Sequence, residues 1–590
     1  MPGAAFGATY YVNGSCGENG DGSAATCAAG SGQTGAHDTF SNLLADQALV
    51  GNDVVYVADG TYPERVIITT ADDGTAGNLV TFREIDDAVI IDGVGEVDAL
   101  LLNGADYIRF EGFEFKGGTR ETIYCTAGND GVEFYQCTFT NNGDGAENLV
   151  TFFDGSGNLF DTCTFNQNAN TLDGIELDQT DDVGDESNII RDCDFVGDGS
   201  TSANGSVLDI DDSDNITISN VTITDWAVSS NVVVSITSSD GVNFDGSLTN
   251  TQNGVLLNGC NDVAIGETTL TNMAGNQAIY FSSCTGTNTI NSITITDAAA
   301  GLLIDDTNLT GTNIYATGST GAQIEIVGTS VVTLNTVTSN NSAYSGIRTD
   351  DTAVLTVNNG VFDGNADDGV TANGSGSLTC NKCLSINNGI DDVSSGDGYT
   401  VHETATLNIN NSMAYGNTKS GVAGATSAAC NGNILNNSFY GNDDYGIKIG
   451  CTGTWTVKNN IVQSHTTEYI VDDAAVTLTS DYNLFDGGTA EYNYDGTDYN
   501  SLALFAAASS TDSHSIEDDP LFVNPAAGDL RLKAASPAID AGTDVGLTTD
   551  YFGNIIYGTP DIGAIEYLIG VFTGSGTGVI TGSGTGTITP

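Results

Sequence analysis

The chain has 590 residues, among them 75 Gly, with 39% apolar and only 15% charged residues; 13 Lys plus Arg stand against 77 Asp plus Glu, a formal charge of −64. Such a surface repels nucleic-acid phosphates and anionic membranes and attracts divalent cations, so nucleic acid is excluded as a partner. No apolar run reaches the length of a membrane span, and the first nine residues lack the basic start and long apolar core of a signal peptide. Either a leader has been removed or the protein leaves its cell without one, as a virion protein released by lysis does.

Residues 1–128 read as an N-terminal cap and the first turns of a repetitive structure. A strand over residues 8–12 precedes a polar, Gly-rich excursion to His37, and a short helix follows from Phe40 towards Leu49 with Asp38 as its N-cap. Strands are expected at Asp53 to Val57, Val66 to Ile68, Val80 to Phe82 and Val89 to Ile91. A stack of strands exposes unpaired groups at its end, so a terminal helix is the expected cover.

From residue 129 to 475 one short pattern returns roughly every 21 to 33 residues: apolar, any, apolar, then a small or acidic residue and a turn. Ile175 to Asp178, Leu208 to Asp211, Ile279 to Ser282, Ile324 to Val327, Ile347 to Asp350 and Ile447 to Gly450 are instances. Period-2 alternation over so few residues marks a strand with one face buried, and its recurrence marks a solenoid. Helical solenoids need apolar faces of ten or more residues, which these coils lack. The fold class is therefore all-β: a single-stranded parallel β-helix (β-solenoid) of about fifteen or more coils with a short N-terminal capping helix. Longer excursions near residues 178–188, 196–205 and 389–398 read as projecting loops. Residues 476–568 form a C-terminal β-rich region packing on the helix end, and residues 569–590, a Gly/Ser/Thr repeat, form a tail or assembly segment.

Both ends of the chain carry a resemblance. Thr9 to Val12, Gly51 to Val57, Asp59 to Tyr62 and Val89 to Gly93 resemble the opening of right-handed β-helix proteins of the pectate-lyase-like superfamily. Asp519 to Val523, Ser536 to Gly542 and Asp561 to Tyr567 resemble the closing segment of bacterial cell-surface members. The resemblance implies right-handed coiling and an extracellular, cell-surface or virion setting. It leaves function open, because the superfamily holds lyases, hydrolases, epimerases, adhesins and tailspikes.

Twelve cysteines divide by position. Cys16 and Cys27 flank a small-residue loop and are the best disulfide candidates; Cys260 with Cys284 and Cys430 with Cys451 lie about one coil apart. Cys137, Cys163 and Cys193 each precede an alternating Phe and are expected inward and reduced, since free Cys packs as a small hydrophobe. The pair Cys380 and Cys383 lacks the second ligand pair of a zinc site.

Outward residues of successive coils form a ladder on which a polysaccharide or cell-surface glycan can lie: Glu176, Asp209, Tyr280, Glu325 and Arg348, with Thr371, Thr400 and Lys448 beyond. The coils from Asn365 to Gly398 resemble the calcium-binding coils of family-nine pectate lyases, which implies Ca2+ on Asp367, Asp368, Asp391, Asp392 and Asp397. In that family a Lys follows a Gly-aromatic pair; here Gly398 and Tyr399 are followed by Thr400, so Lys448 or His402 would have to act as base if the chain is a lyase. Glycoside hydrolysis by paired carboxylates, Glu176 with Asp209 or Asp178 with Asp211, is a further option. The missing Lys weighs the reading towards a non-catalytic rod that binds glycan or serves in assembly, self-association or adhesion, with a calcium-dependent polyuronate lyase as the alternative.

Overall fold

The computed structural model describes residues 7–568 except 87, 127, 141–147, 167–172, 180–186, 199–204, 227–231, 276, 391–394, 426–428, 472–474 and 487–491. The chain is an all-β right-handed parallel β-solenoid of about 16 coils with a short N-terminal helix. It divides into two compact units, Met1–Gly321 and Ala322–Pro590. No helix among the described residues is long and apolar enough to cross a membrane.

In the first unit parallel strands stack in register, Val54–Val57 pairing with Thr9–Val12 on one side and with Val80–Glu84 on the other. Alternation puts an apolar residue at the same inward position in coil after coil, so like packs on like. Phe82, Phe110, Phe134 and Phe160 form one stacked column, with ring centroids 5.0, 5.6 and 5.2 Å apart. Phe139, Phe165 and Phe195 form a second at 4.5 Å spacing. Cys137, Cys163 and Cys193 are buried and free, and so are Cys260 and Cys284, while Cys16–Cys27 and, in the second unit, Cys430–Cys451 are disulfides.

The N-terminal helix, Phe40–Asp46, is shorter than its sequence suggests and is capped by Thr39 rather than Asp38. Thr39 Oγ1 accepts the Asn42 N–H at 3.1 Å, while Asp38 accepts the Asn42 side-chain amide instead. Glu64 takes the first exposed donors, Phe40 N–H and Ser41 N–H, both at 3.0 Å, which places an anion at the positive end of the helix.

The second unit is held by buried asparagines stacked one per coil. Asn365, Asn388, Asn417 and Asn442 form one column, each side-chain amide donating to the next carbonyl oxygen at 2.8 or 2.9 Å. Asn437, Asn460 and Asn483 form another, at 3.0 Å, ending on Asp512. Each Asn also accepts the backbone N–H of the preceding rung, so the column satisfies turn donors that have no sheet partner. At the last coils, Phe505 of the helix Leu502–Ser509 packs against Tyr469 and Tyr492. Beyond it Phe522, Leu530 and Ile562 pack on Met413, Ile461 and Leu484 along the flank of the coils.

Replacing Asn417 by Ala removes an acceptor from Asn388 and a donor from both Ser385 and Asn442, all inside the core. Orphaned buried groups cost about 1–3 kcal/mol each, so urea unfolding of Asn417→Ala is expected to show a loss on the order of 3 kcal/mol. A loss below about 1 kcal/mol would show that the column is not a stabilising element.

Candidate active site

The site is a cleft on one outer face of the second unit. Strands Ile347–Thr349, Val370–Ala372 and Tyr399–Val401 pair in parallel, with Arg348 opposite Thr371 and Thr371 opposite Thr400. Alternation sends the flanking residues of each strand inward and these three outward. The ladder runs on through Asn373 N–H to Thr349 O at 3.1 Å and His402 N–H to Ala372 O at 2.8 Å, so Asp350, Asn373 and His402 make a second outward row. The turns entering the strands add Ser345, Asp367, Asp368, Ser395 and Asp397, and the resulting cleft encloses about 450 Å³.

Asp368 ties two coils together: its Oδ1 accepts the N–H groups of Gly396, at 3.0 Å, and Asp397, at 2.8 Å. Gly396 meets it with φ of 120°, a conformation closed to residues with a side chain. Thr371 Oγ1 donates to Asp368 Oδ2 at 3.3 Å and shares a 2.9 Å hydrogen bond with Ser345. Burial, reinforced by the charges of Asp397 and Asp367, holds the Asp368 carboxyl well above the usual carboxylate range. Burial also raises Asp397, against the opposing pull of the Ser420 hydrogen bonds and the Lys419 charge. Both carboxyls are thus held above the range of exposed carboxylates.

His402 is pushed the other way. Burial lowers its pKa, Arg348 adds to that, and Asp397, Asp367 and Glu403 oppose it, which favours the neutral imidazole, whose free lone pair can accept a proton. Arg348 donates from Nη2 to Asp350 Oδ2 at 2.6 Å and lies with Nε 3.3 Å from Glu325 Oε1. These two carboxylates engage only part of its five-donor fork.

Of the residues singled out by sequence, Asp367, Asp368, Asp397, His402 and Arg348 share this cleft, with Glu325 attached through Arg348. Lys448 does not: Ala423 stands between it and Thr400 in the ladder, which sets it about 10 Å away, with Nζ 5.2 Å from the centre of the Tyr445 ring. Glu176, Asp209 and Tyr280 belong to the first unit. There Glu176 and Asp209 are register partners, but Glu176 already accepts from Asn148 at 2.7 Å and Thr151 at 3.2 Å, and the Tyr280 hydroxyl donates to Asp305 at 3.3 Å. Asp173, which sequence reasoning missed, lies in the same acidic group and is pushed up to about 7 by burial and Asp209. Ser345, Asn373, Ser395 and Glu403 were also missed, although each sits at a fixed offset from a ladder residue. Asp391 and Asp392 lie outside the described residues.

Among the described residues no group of three or more acidic, imidazole or thiol side chains is arranged to hold a metal ion. In Asp368 and Asp397 the Oδ1 atoms accept backbone N–H groups. Asp367, Asp368 and Asp397 are thus the described part of the expected calcium set, with Asp391 and Asp392 outside it.

A model of the right-handed β-helix region matches residues 79–249 and 253–405. No curated protein sequence matches the chain. Among solved structures it is similar to pectate lyase Pel9A, at 15% identity over 96% of this chain and 97% of that one, with a TM-score of 0.22. It is similar to the periplasmic alginate epimerase AlgG at 12% identity over 52% and 74%, TM-score 0.26. It is similar also to the catalytic unit of a GH87 α-1,3-glucanase from Streptomyces thermodiastaticus strain HF3-3 at 12% identity over 66% and 62%, TM-score 0.27. At these values the fold rests on the family match and not on these likenesses. Still, the weighting towards a rod without turnover is corrected: the solved relatives are almost all carbohydrate-active enzymes, against the expectation of an inert scaffold.

A raised carboxyl contributes stability below its unfolded-state pKa and loses it as pH rises through the folded value. Denaturant midpoints of the wild type are thus expected to fall as pH climbs from the ordinary carboxylate range past the raised pKa of Asp368, and Asp368→Asn, which never ionises, to fall less. Parallel curves for the two proteins would show that Asp368 is ionised throughout.

Proposed function

The chain belongs to the right-handed β-helix family, and from that premise we propose that the Arg348–His402 cleft is a polysaccharide-processing active site that cleaves polyuronates by β-elimination. The observation that carries the reading is the meeting, in one cleft, of an imidazole whose neutral form is favoured, a guanidinium and a carboxyl pair held above the range of exposed carboxylates. Elimination needs a base for the proton α to the uronate carboxylate, a positive charge against that carboxylate and an acid for the departing oxygen.

Each group has a residue suited to it. His402 takes the C5 proton, the electron pair forms the C4–C5 double bond, and the C4–O bond breaks. The Asp368–Asp397 pair returns a proton to the leaving oxygen, so the next turnover requires only that the proton pass from His402 back to the pair through water. Arg348 faces the carboxylate and offsets the charge that builds on it in the transition state, a role for which a fixed, always-charged fork is better suited than a lysine. Thr371 and Thr400 form the floor between acid and base, and their hydroxyl-bearing, flat row suits a sugar ring lying across the coils. Thr400 in place of the lyase Lys is thus consistent with a base two residues on, just past the end of the same strand. The two disulfides fit an oxidising, extracellular setting, where such polymers are met.

The test is incubation with polygalacturonate, alginate and glycosaminoglycans, following ultraviolet absorbance of the unsaturated product. His402→Ala is expected to lower kcat by about 100-fold or more, Arg348→Lys to lower kcat/KM, and Lys448→Ala to leave both unchanged. Absence of unsaturated product from every polyuronate, or full activity in His402→Ala, would overturn the reading.

A further inference from the structure

A hollow lies in the first unit, on the sheet that follows the bend of each coil. Strand register there shows a deletion: Ile218 and Val221 are three residues apart, their partners Phe244 and Gly246 are two apart, and in the next coil Ile265 and Thr268 are again three apart. The coil carrying Asp245 is one residue short at the bend, which draws the backbone inward. Gly246 permits it, since a Cβ there would stand 2.7 Å from Val221 Cγ2. The dent that results encloses about 400 Å³.

Its floor is made of hydroxyls. Thr222, Ser247, Thr269 and Thr294 are register partners in four successive coils, and Thr224, Thr249, Thr271 and Thr296 repeat them two residues on. The first row continues to Tyr315, whose side chain is 42% exposed. In a chain of charge −64 these two outward rows carry no charge at all over five coils. Thr268 lies beneath the dent on the inward row, in register with Gly246 and Ile293, and is 1% exposed.

We propose that this groove binds a neutral polysaccharide chain, separately from the cleft of the second unit and without dependence on what that cleft does. Paired rows of hydroxyls about 4.8 Å apart along the stack offer donors and acceptors in a repeat, as a chain of sugar hydroxyls requires. Asp245 and Glu267 at the rim accept from sugar hydroxyls and repel uronates, which makes the ligand uncharged. Tyr315 gives the exposed aromatic face against which a pyranose ring stacks.

Affinity electrophoresis of the whole protein in native gels cast with galactomannan, mixed-linkage glucan, xyloglucan or polygalacturonate tests it. At least one neutral polymer is expected to retard the protein. Thr269→Lys and Tyr315→Ala, both on exposed side chains, are each expected to weaken that retention about tenfold, whereas Arg348→Ala leaves it unchanged. The proposal is overturned if no neutral polymer retards the protein, if retention survives both variants, or if only polygalacturonate retards it. Shaping of ice crystals without glycan retention would assign the hydroxyl rows to ordered water and overturn it equally.

Discussion

Everything in this protein depends on the register between coils. Parallel hydrogen bonding sets each strand residue over its equivalent in the next coil at about 4.8 Å, so a side chain is packed chiefly by copies of its own position. Aromatic columns follow where Phe recurs, as in Phe139, Phe165 and Phe195. Amide columns follow where Asn recurs, as from Asn365 to Asn442. An amide is well suited to such a column because it carries both a donor and an acceptor and passes the bond along without a charge. A carboxylate in the same place would stack like charges, and the column ending on Asp512 shows the exception: that acid sits at a terminus, accepts from Asn483, Ser515 and Thr511, and is held above its ordinary pKa by burial.

The same register makes the active cleft. Outward rows are the cheapest place to alter residues, since nothing packs over them, yet neighbours in the row are held at fixed spacing. Arg348, Thr371 and Thr400 in one row and Asp350, Asn373 and His402 in the next are six side chains on a lattice of in-register strands. Chemistry then comes from the turns, where Asp368 bonds the backbone of the following coil and is forced into shared burial with Asp397. The bond that stabilises the turn is the same one that tunes the acid. Asp368 is thus held by the turn it stabilises, whereas His402 is held through its backbone, by N–H to Ala372 O and by its carbonyl accepting from Ala405 N–H.

How much was legible in the sequence follows from this geometry. Repeats of two apolar residues flanking one outward position are plain in the text of the chain, and they establish the solenoid. Rungs with weak apolar character were passed over: Val234–Thr237, which supplies Ser235 between Asp209 and Leu256, and Val422–Gly424, which supplies Ala423 between Thr400 and Lys448. The helix cap was assigned one residue early because Asp38 and Thr39 are both good caps and only the backbone decides between them. The cleft itself was half legible. Its acids stood out as Asx-rich turns, but the comparison of Thr400 with a lyase Lys drew attention to an absent residue, and the pairing of Arg348 with His402 needs knowledge of which coils adjoin. The one-residue deletion beside Asp245 is invisible without register, since coil length varies throughout the chain.

The most direct measurement is a crystal structure of His402→Asn with a bound trigalacturonate. The account predicts a uronate carboxylate within hydrogen-bonding distance of Arg348, the C5 hydrogen of the same sugar directed at residue 402, and the glycosidic oxygen at C4 beside Asp397. A sugar chain bound with its carboxylates turned away from Arg348, or seated on any other face of the second unit, would contradict it.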